Sequence, residues 1–565
     1  MKGAYANTKH SSLRRWFPLI STGLLLLLSP CIPYKLYKEI DITGQDLDGL
    51  CPLGEAIRPL SFINDNSTLE YILKDEDYKQ SAAQRLGGVV KIPSISYDEM
   101  PEPRGGDAVW EPMKRVHEYL EAQFPLVHTS LTVEKVNEVG LLYTWTGSNP
   151  LLKPMLLTAH MDVVPVEPET RKLWKYEPFS GHYDGERVWG RGASDDKSML
   201  MDILEALEKL LKEQYQPLRS IVVGFGYDEE SAGNGAYHIA QLLQGRYGEN
   251  SFYSLVDEGS SLTKIDGRVF AFPSVAEKGA TALTISLTTP GGHSSVPPPH
   301  TNIGIMAKLI DEIESSPFGY ELAEENPTLT RLQCVAKYTN TFTGMLKKCI
   351  LGAHKSSLAK RKVVQYLSSS RETEFNIKTT QAIDIIKGGV KENALPEYSS
   401  LVVDHRINVG SSWNETTTKI LDNVLRIAKA FNLGVVLGED EIVSRTADGV
   451  FQITWDRQLE PAPVSPTSGE TWDIFSGSIK HIVEDYIDPE GPPAVVTGNL
   501  MMGNTDTCQY WNLTENIYRF SMSDPGAQKS RIHSVNEYQL MSSHLYGIGF
   551  IYEYIKNVND YATVP

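Results

Sequence analysis

Cysteine is scarce and scattered in this chain: five in 565 residues, at positions 31, 51, 334, 349 and 508. No two stand at the C-x-x-C spacing of a thiolate zinc site, so any metal must be held by histidine and carboxylate. The spacing also excludes a disulfide framework, and Cys334 with Cys349 is the one pair expected to bridge. Positive charge is short as well. The balance of 53 Lys and Arg against 71 Asp and Glu leaves −18, which argues against nucleic acid and anionic membrane surfaces as main partners. There is no internal repeat and no low-complexity tract. What is left, 41% hydrophobic and 22% charged residues, is ordinary globular composition, and the length calls for two domains.

Long apolar runs are missing too, with one exception. Lys2, Lys9, Arg14 and Arg15 precede "WFPLISTGLLLLLSPCIPY", residues 16–34. A basic flank before an apolar run reads as an uncleaved signal-anchor with a cytosolic tail. N-x-S/T sequons at Asn66, Asn414 and Asn512 fit a glycosylated, lumenal body beyond it. The expected layout is a tail and anchor over 1–34, a polar stalk over 35–75, and a globular part from 76 onward.

From residue 114 the pattern alternates strand and helix: helix 114–124, strands 141–147 and 154–164, amphipathic helix 198–214, strand 220–227, helix 235–248, strand 252–259. Such alternation implies an α/β fold with a mostly parallel sheet covered by helices on both faces. From about 279 a second unit reads β-α-β-β-α-β, with strands at 279, 382–389, 399–408 and 434–438 and helices 301–315 and 415–431. That order suggests an inserted ferredoxin-like α+β lid over 279–457, with residues 316–375 unassigned. The catalytic domain would then comprise 76–278 and 458–565, closing on a helix over 534–558.

Acids and histidines gather at the strand ends of this reading. "PMLLTA" runs into His160-Met161-Asp162, and "VWGRGASDDKS" places Asp195 and Asp196 before a helix. "SIVVGFGY" is followed by Asp228, Glu229 and Glu230, "FYSLV" by Asp257-Glu258, and His533 precedes the last helix. Taken alone, the Asp-Glu-Glu run is most simply a solvated strand end or a helix N-terminus that favours negative charge. In an α/β sheet, however, function collects at the carboxyl ends of strands, and five such ends coincide. Two histidines with carboxylates and no thiolate suit two Zn²⁺ ions roughly 3.5–4 Å apart that activate a water. His160 and Asp257 are expected on one ion, Glu230 and His533 on the other, and Asp195 between them. Asp162 would orient His160. Glu229 would act as general base.

"TAHMDVVP", "WGRGASDDK", "DEE", "VDEG" and "RIHSVNE", in this order and spacing, resemble the co-catalytic dizinc aminoacylase/carboxypeptidase family over about residues 75–565. The resemblance implies hydrolysis of short peptides of Gly-Xaa type, or else hydrolysis or synthesis of N-acyl amino acids. It further implies a cis peptide at Asp195-Asp196, a vacuolar location, and lid residues that contact substrate: His293 in "TPGGHSSVP", Asn393 in "KENALPE" and Arg406 in "VVDHRI". Arg406 suits a carboxylate and His293 an oxyanion. A homodimer joined through the lid is a further expectation. The loop "GNTDTCQY" departs from the family's Gly-Gly-Thr-Asp pattern by carrying Asn504 at the second glycine. A catalytically dead, membrane-anchored binding ectodomain would have lost Glu229 or a ligand, and all are present.

Overall fold

The computed structural model describes residues 47, 49–62, 64–104, 107–526 and 531–562. Its centre is an eight-stranded sheet in the spatial order 132–136, 140–145, 221–226, 155–160, 255–260, 517–520, 274–277, 499–501. The sheet is mixed. Four central strands, Ile221–Gly226, Met155–His160, Leu255–Ser260 and Ile517–Phe520, run parallel, whereas the 132–145 hairpin and Ser274–Glu277 join them antiparallel. The expected mostly parallel sheet therefore holds only at the centre.

Strand periodicity fills both faces. Met155, Leu157 and Ala159 enter one core together with Ile221, Val223 and Phe225, while Leu156 and Val222 enter another on the far side. Side chains alternate across a strand, so a run of consecutive apolar residues is what a sheet covered on both faces needs. Lys197–Lys212, Glu470–Ile482 and Met541–Tyr561 pack on the first face, and Asn234–Tyr247 covers the second. The closing helix begins at Met541, seven residues later than expected from the sequence. The chain before it makes a turn with positive φ at His533 and Asn536 and then a short strand, Tyr538–Leu540.

The second sheet has six strands, not the four expected. Its order is 382–388, 398–407, 279–288, 450–455, 434–437, 440–443, so that Val450–Trp455 inserts between Gly434–Leu437 and Gly279–Thr288. Asn302–Ser315 and Trp413–Ala430 bury Met306, Leu309, Ile420 and Val424 against it. Thr301 starts the first of these helices by accepting the N–H of Gly304. The unassigned stretch is helical: Thr328–Tyr338, Gly344–Gly352 and Ser357–Leu367 share a core with Phe270 and Val495.

Three further expectations are corrected. The disulfide joins Cys51 to Cys334 with Cα atoms 5.3 Å apart, and Cys349 is a free, buried thiol within the helical insertion. Within the expected stalk, 35–75, the described residues 49–62 and 64–74 form a strap on the body. Arg58 pairs with Asp485 at 2.6 Å, Ile57 N–H donates to the Gly477 carbonyl, and the helix Ser67–Lys74 buries Leu69 and Ile72. Finally, no helix among the described residues is long and apolar enough to cross a membrane, and the anchor segment, residues 16–34, lies outside them. The membrane-anchored, lumenal and vacuolar placement is not upheld.

Candidate metal centre and active site

The carboxyl ends of the parallel strands meet at one edge. His160 ends Met155–His160 and is 1% exposed. Its Nδ1 lies 3.2 Å from Asp162 Oδ1. Its Nε2 faces Asp195 Oδ1 at 3.2 Å and Glu258 Oε1 at 3.5 Å. The other oxygen of Asp195 is 3.0 Å from His533 Nε2, which also meets Glu230 Oε2 at 3.0 Å. Glu229 joins His160 and Glu230 in a group whose ligand atoms all lie within 4.8 Å of one another. His160, Asp162, Asp195, Glu229, Glu230 and His533 are thus brought together.

Asp257 is not, and this corrects the sequence expectation. Successive residues of Leu255–Ser260 point to opposite faces, so only one of the adjacent acids can reach His160. Glu258 does. Asp257 does not: its backbone stands in register with Arg519 on the neighbouring strand, and its Oδ2 has no hydrogen-bond partner.

The "DEE" run divides into three roles. Asp228 accepts the N–H groups of Asn234 at 3.1 Å and Gly235 at 2.7 Å, the first residues of the helix Asn234–Tyr247. The helix-start explanation therefore fits Asp228 alone. Glu229 and Glu230 donate their own backbone N–H groups to the two oxygens of Asp162, each at 3.1 Å, and Ser96 Oγ donates to Asp162 Oδ2 at 2.6 Å. One buried carboxylate thus sets both the ring of His160 and the turn that carries the two glutamates.

The loop bearing Asp195 is held by a residue that sequence reasoning gave no role. Glu537, fully buried, accepts the N–H groups of Gly192 at 2.9 Å, Ser194 at 3.2 Å and Asp195 at 3.4 Å, and pairs with Arg191 at 2.5 Å. Its place in "RIHSVNE" was the only available signal. The Asp195-Asp196 peptide is cis.

Electrostatically the cluster is crowded with acid. Burial, then the nearby Asp195 carboxylate, pushes Glu258 up to about 8. Burial likewise raises Glu229 and Asp196 well above the usual carboxylate range. Against that trend, hydrogen bonds from His160 and then His533 hold Asp195 low. His533 is pushed up to about 10 by its bonds to Asp195 and Glu230. Buried carboxylates at this density repel one another unless cations lie between them. The donor set of two imidazole nitrogens and several carboxylates, with Asp196 Oδ2 also unpartnered, fits divalent metal of the zinc type.

Of the lid residues, Arg406 approaches the body, its Nη1 donating to Asn504 Oδ1 at 3.0 Å. His293 pairs with Ala394 on a small ladder, and Asn393 just before it accepts the N–H of Ser294 at its carbonyl; both His293 and Asn393 are exposed. Neither touches the metal cluster among the described residues.

Comparison with known proteins agrees with this geometry. The model of peptidase family M20/M25/M40 matches residues 156–557. Carboxypeptidase S of Saccharomyces cerevisiae is 45% identical over 518 residues, 90% of each chain. The N-fatty-acyl-amino acid synthase/hydrolase PM20D1 of Bos taurus is 31% identical over 503 residues, 87% of this chain and 90% of that one. The crystal structure of the M20 family metallo-carboxypeptidase Sso-CP2 from Sulfolobus solfataricus shares the fold, with a TM-score of 0.56 at 18% identity over 84% of this chain and 98% of that one. The chain belongs to peptidase family M20/M25/M40, among its metallo-carboxypeptidases.

Proposed function

We propose that the protein is a dizinc carboxypeptidase that releases the C-terminal residue from short peptides of Gly-Xaa type, with Glu229 as general base. The observation that carries this reading is Asp195, whose two oxygens lie 3.2 Å from His160 and 3.0 Å from His533. One carboxylate that reaches both imidazoles is what two neighbouring ions require. His160 and Glu258 would hold one Zn²⁺, Glu230 and His533 the other, and Asp195 both. Bound zinc would supply a Lewis acid for the scissile carbonyl and lower the pKa of water. Asp162 keeps His160 in one orientation. Glu229, beside the ligands but not among them, accepts the proton of the attacking water and delivers it to the leaving amine. Arg406 receives the terminal carboxylate of the peptide, its fork matching both oxygens. His293, with Asn393 beside it, meets the developing oxyanion once the lid has closed over the substrate.

The similarity to PM20D1 favours a second reading on the same machinery: hydrolysis or synthesis of N-acyl amino acids. Both reactions act on an amide bond next to a free carboxylate. The test is a panel of dipeptides and N-acyl amino acids of increasing chain length on zinc-loaded protein. Faster turnover of dipeptides supports the carboxypeptidase. Turnover confined to long acyl chains would replace it with the second reading.

A further inference from the structure

Asn504 stands where the family pattern has glycine, and both ends of its side-chain amide are engaged. Nδ2 donates to the backbone carbonyl of Lys278 at 2.5 Å, and Oδ1 accepts from Arg406 Nη1 at 3.0 Å. Lys278 lies where the chain leaves the large sheet for the small one, between Ser274–Glu277 and Gly279–Thr288, and Arg406 lies on the small-sheet strand Tyr398–Ile407. A carbonyl can only accept, so the amide nitrogen must face Lys278 and the amide oxygen must face the guanidinium. Arg406 Nε is 3.4 Å from Asp404 Oδ2. With Nε beside Asp404 and one Nη1 hydrogen on Asn504, the second Nη1 hydrogen and both Nη2 hydrogens are left, enough for a ligand carboxylate to be met at both oxygens.

The surroundings favour an anion. Lys278 is buried, donates its Nζ to the Lys378 carbonyl at 2.5 Å, and has no carboxylate partner among the described residues. Burial, then the nearby Arg406 and Lys378, pushes it down to about 7. Lys378 already has Glu374 at 3.7 Å. A carboxylate at Arg406 would therefore enter a field with more cation than anion. The neutrality of Asn504 matters here. With glycine at 504, Asp404 would be the remaining side-chain partner of Arg406, and an acid is a direct competitor of the substrate carboxylate. An amide holds the guanidinium without spending its charge.

We infer that Asn504 is a positioning residue for substrate: it orients the Arg406 guanidinium to receive the terminal carboxylate. This rests on the carboxypeptidase reading above. The experiment measures kcat and KM for a Gly-Xaa dipeptide, and Ki for an N-acetyl amino acid against its carboxamide, in wild type, Asn504→Ala and Asn504→Asp.

Losing one hydrogen bond to a charged group should raise KM about tenfold in the alanine variant, with kcat little changed. The preference for carboxylate over carboxamide should fall by the same factor. Asn504→Asp, which keeps the shape but neutralises Arg406, should lose more of that preference than alanine does. Were Asn504 only a latch between the two sheets, both inhibitors would weaken equally, and that result overturns the inference. So does an aspartate variant with wild-type preference. A wild-type enzyme indifferent to the carboxylate would instead overturn the Arg406 reading itself, and the clamp with it.

Discussion

The backbone N–H of Glu229 donates to Asp162 Oδ1 at 3.1 Å, an oxygen that also lies 3.2 Å from His160 Nδ1. The glutamate turn and the imidazole therefore share one anchor, and the side chains of Glu229 and Glu230, gathered together at His160, differ in their further partners. Glu230 reaches His533, whereas Glu229 groups with His160. Glu229→Gln should keep near-normal zinc content and lose about 10²–10⁴-fold in turnover, the range for a positioned acid–base group. Glu230→Gln should lose zinc, because an amide is a poorer ligand than a carboxylate, and added zinc should restore part of its activity. Zinc analysis beside turnover decides the matter, and the reverse pattern would exchange the two roles.

The adjacent acids of Leu255–Ser260 allow a second test. Glu258→Gln removes the carboxylate 3.5 Å from His160 and should reduce bound zinc toward one ion per chain. Asp257→Asn should retain both ions, since Asp257 is absent from the groups of ligand atoms gathered around His160 and His533. Cobalt substitution offers an independent readout, with the visible spectrum changing for the first variant only. A spectrum altered by Asp257→Asn and untouched by Glu258→Gln would reinstate Asp257 as the ligand.

That pair also marks the limit of what the sequence reveals. Apolar runs such as 155–160 and 221–226 locate their strands, and strand ends locate the acids, because burial on both faces demands consecutive hydrophobic residues. Which of two neighbouring acids turns inward depends on the phase of a period of two. Asp257 and Glu258 are both acidic, so composition carries no phase. Glu537 was illegible for another reason: its partners are backbone N–H groups more than 340 residues away, and a backbone group leaves no mark in sequence. The Cys51–Cys334 bridge spans 283 residues. It depends on where the strap crosses the helical insertion, which no local pattern encodes.

Two buried histidines away from the cluster give a pH prediction. Burial pushes His117 and His405 from 6.5 down to about 4. Below pH 6.5 the unfolded chain binds protons that the native chain refuses. Stability must then fall as pH drops toward 4, by about 1.4 kcal/mol per pH unit for each histidine in that window. His117 Nε2 donates to the Val139 carbonyl at 2.7 Å, a bond that glutamine can imitate. His117→Gln should therefore flatten the dependence by about one histidine's share. Urea unfolding at pH 7.0, 5.5 and 4.5, at constant metal load, measures it. Parallel slopes for variant and wild type would contradict the assignment.

The last prediction concerns the loop that presents Asp195. Glu537 Oε1 gathers the N–H groups of Gly192, Ser194 and Asp195, while Oε2 pairs with Arg191. Two ligands depend on this one region, since Asp195 hangs from the loop and His533 lies four residues before Glu537. Glu537→Gln keeps the volume but places an amide N–H₂ among donors and leaves Arg191 buried without its anion, a loss that commonly costs about 3–5 kcal/mol. Lower stability alone would therefore prove little. The informative quantity is zinc affinity measured well below the unfolding midpoint. Disorder around bound ligands typically lowers metal affinity about 10–100-fold, and the weaker of the two ions should show it first. Glu537→Asp, which keeps the charge on a shorter stem, should recover part of that affinity. If Glu537→Gln binds both ions as tightly as wild type while being less stable, the residue supports the fold and not the metal centre.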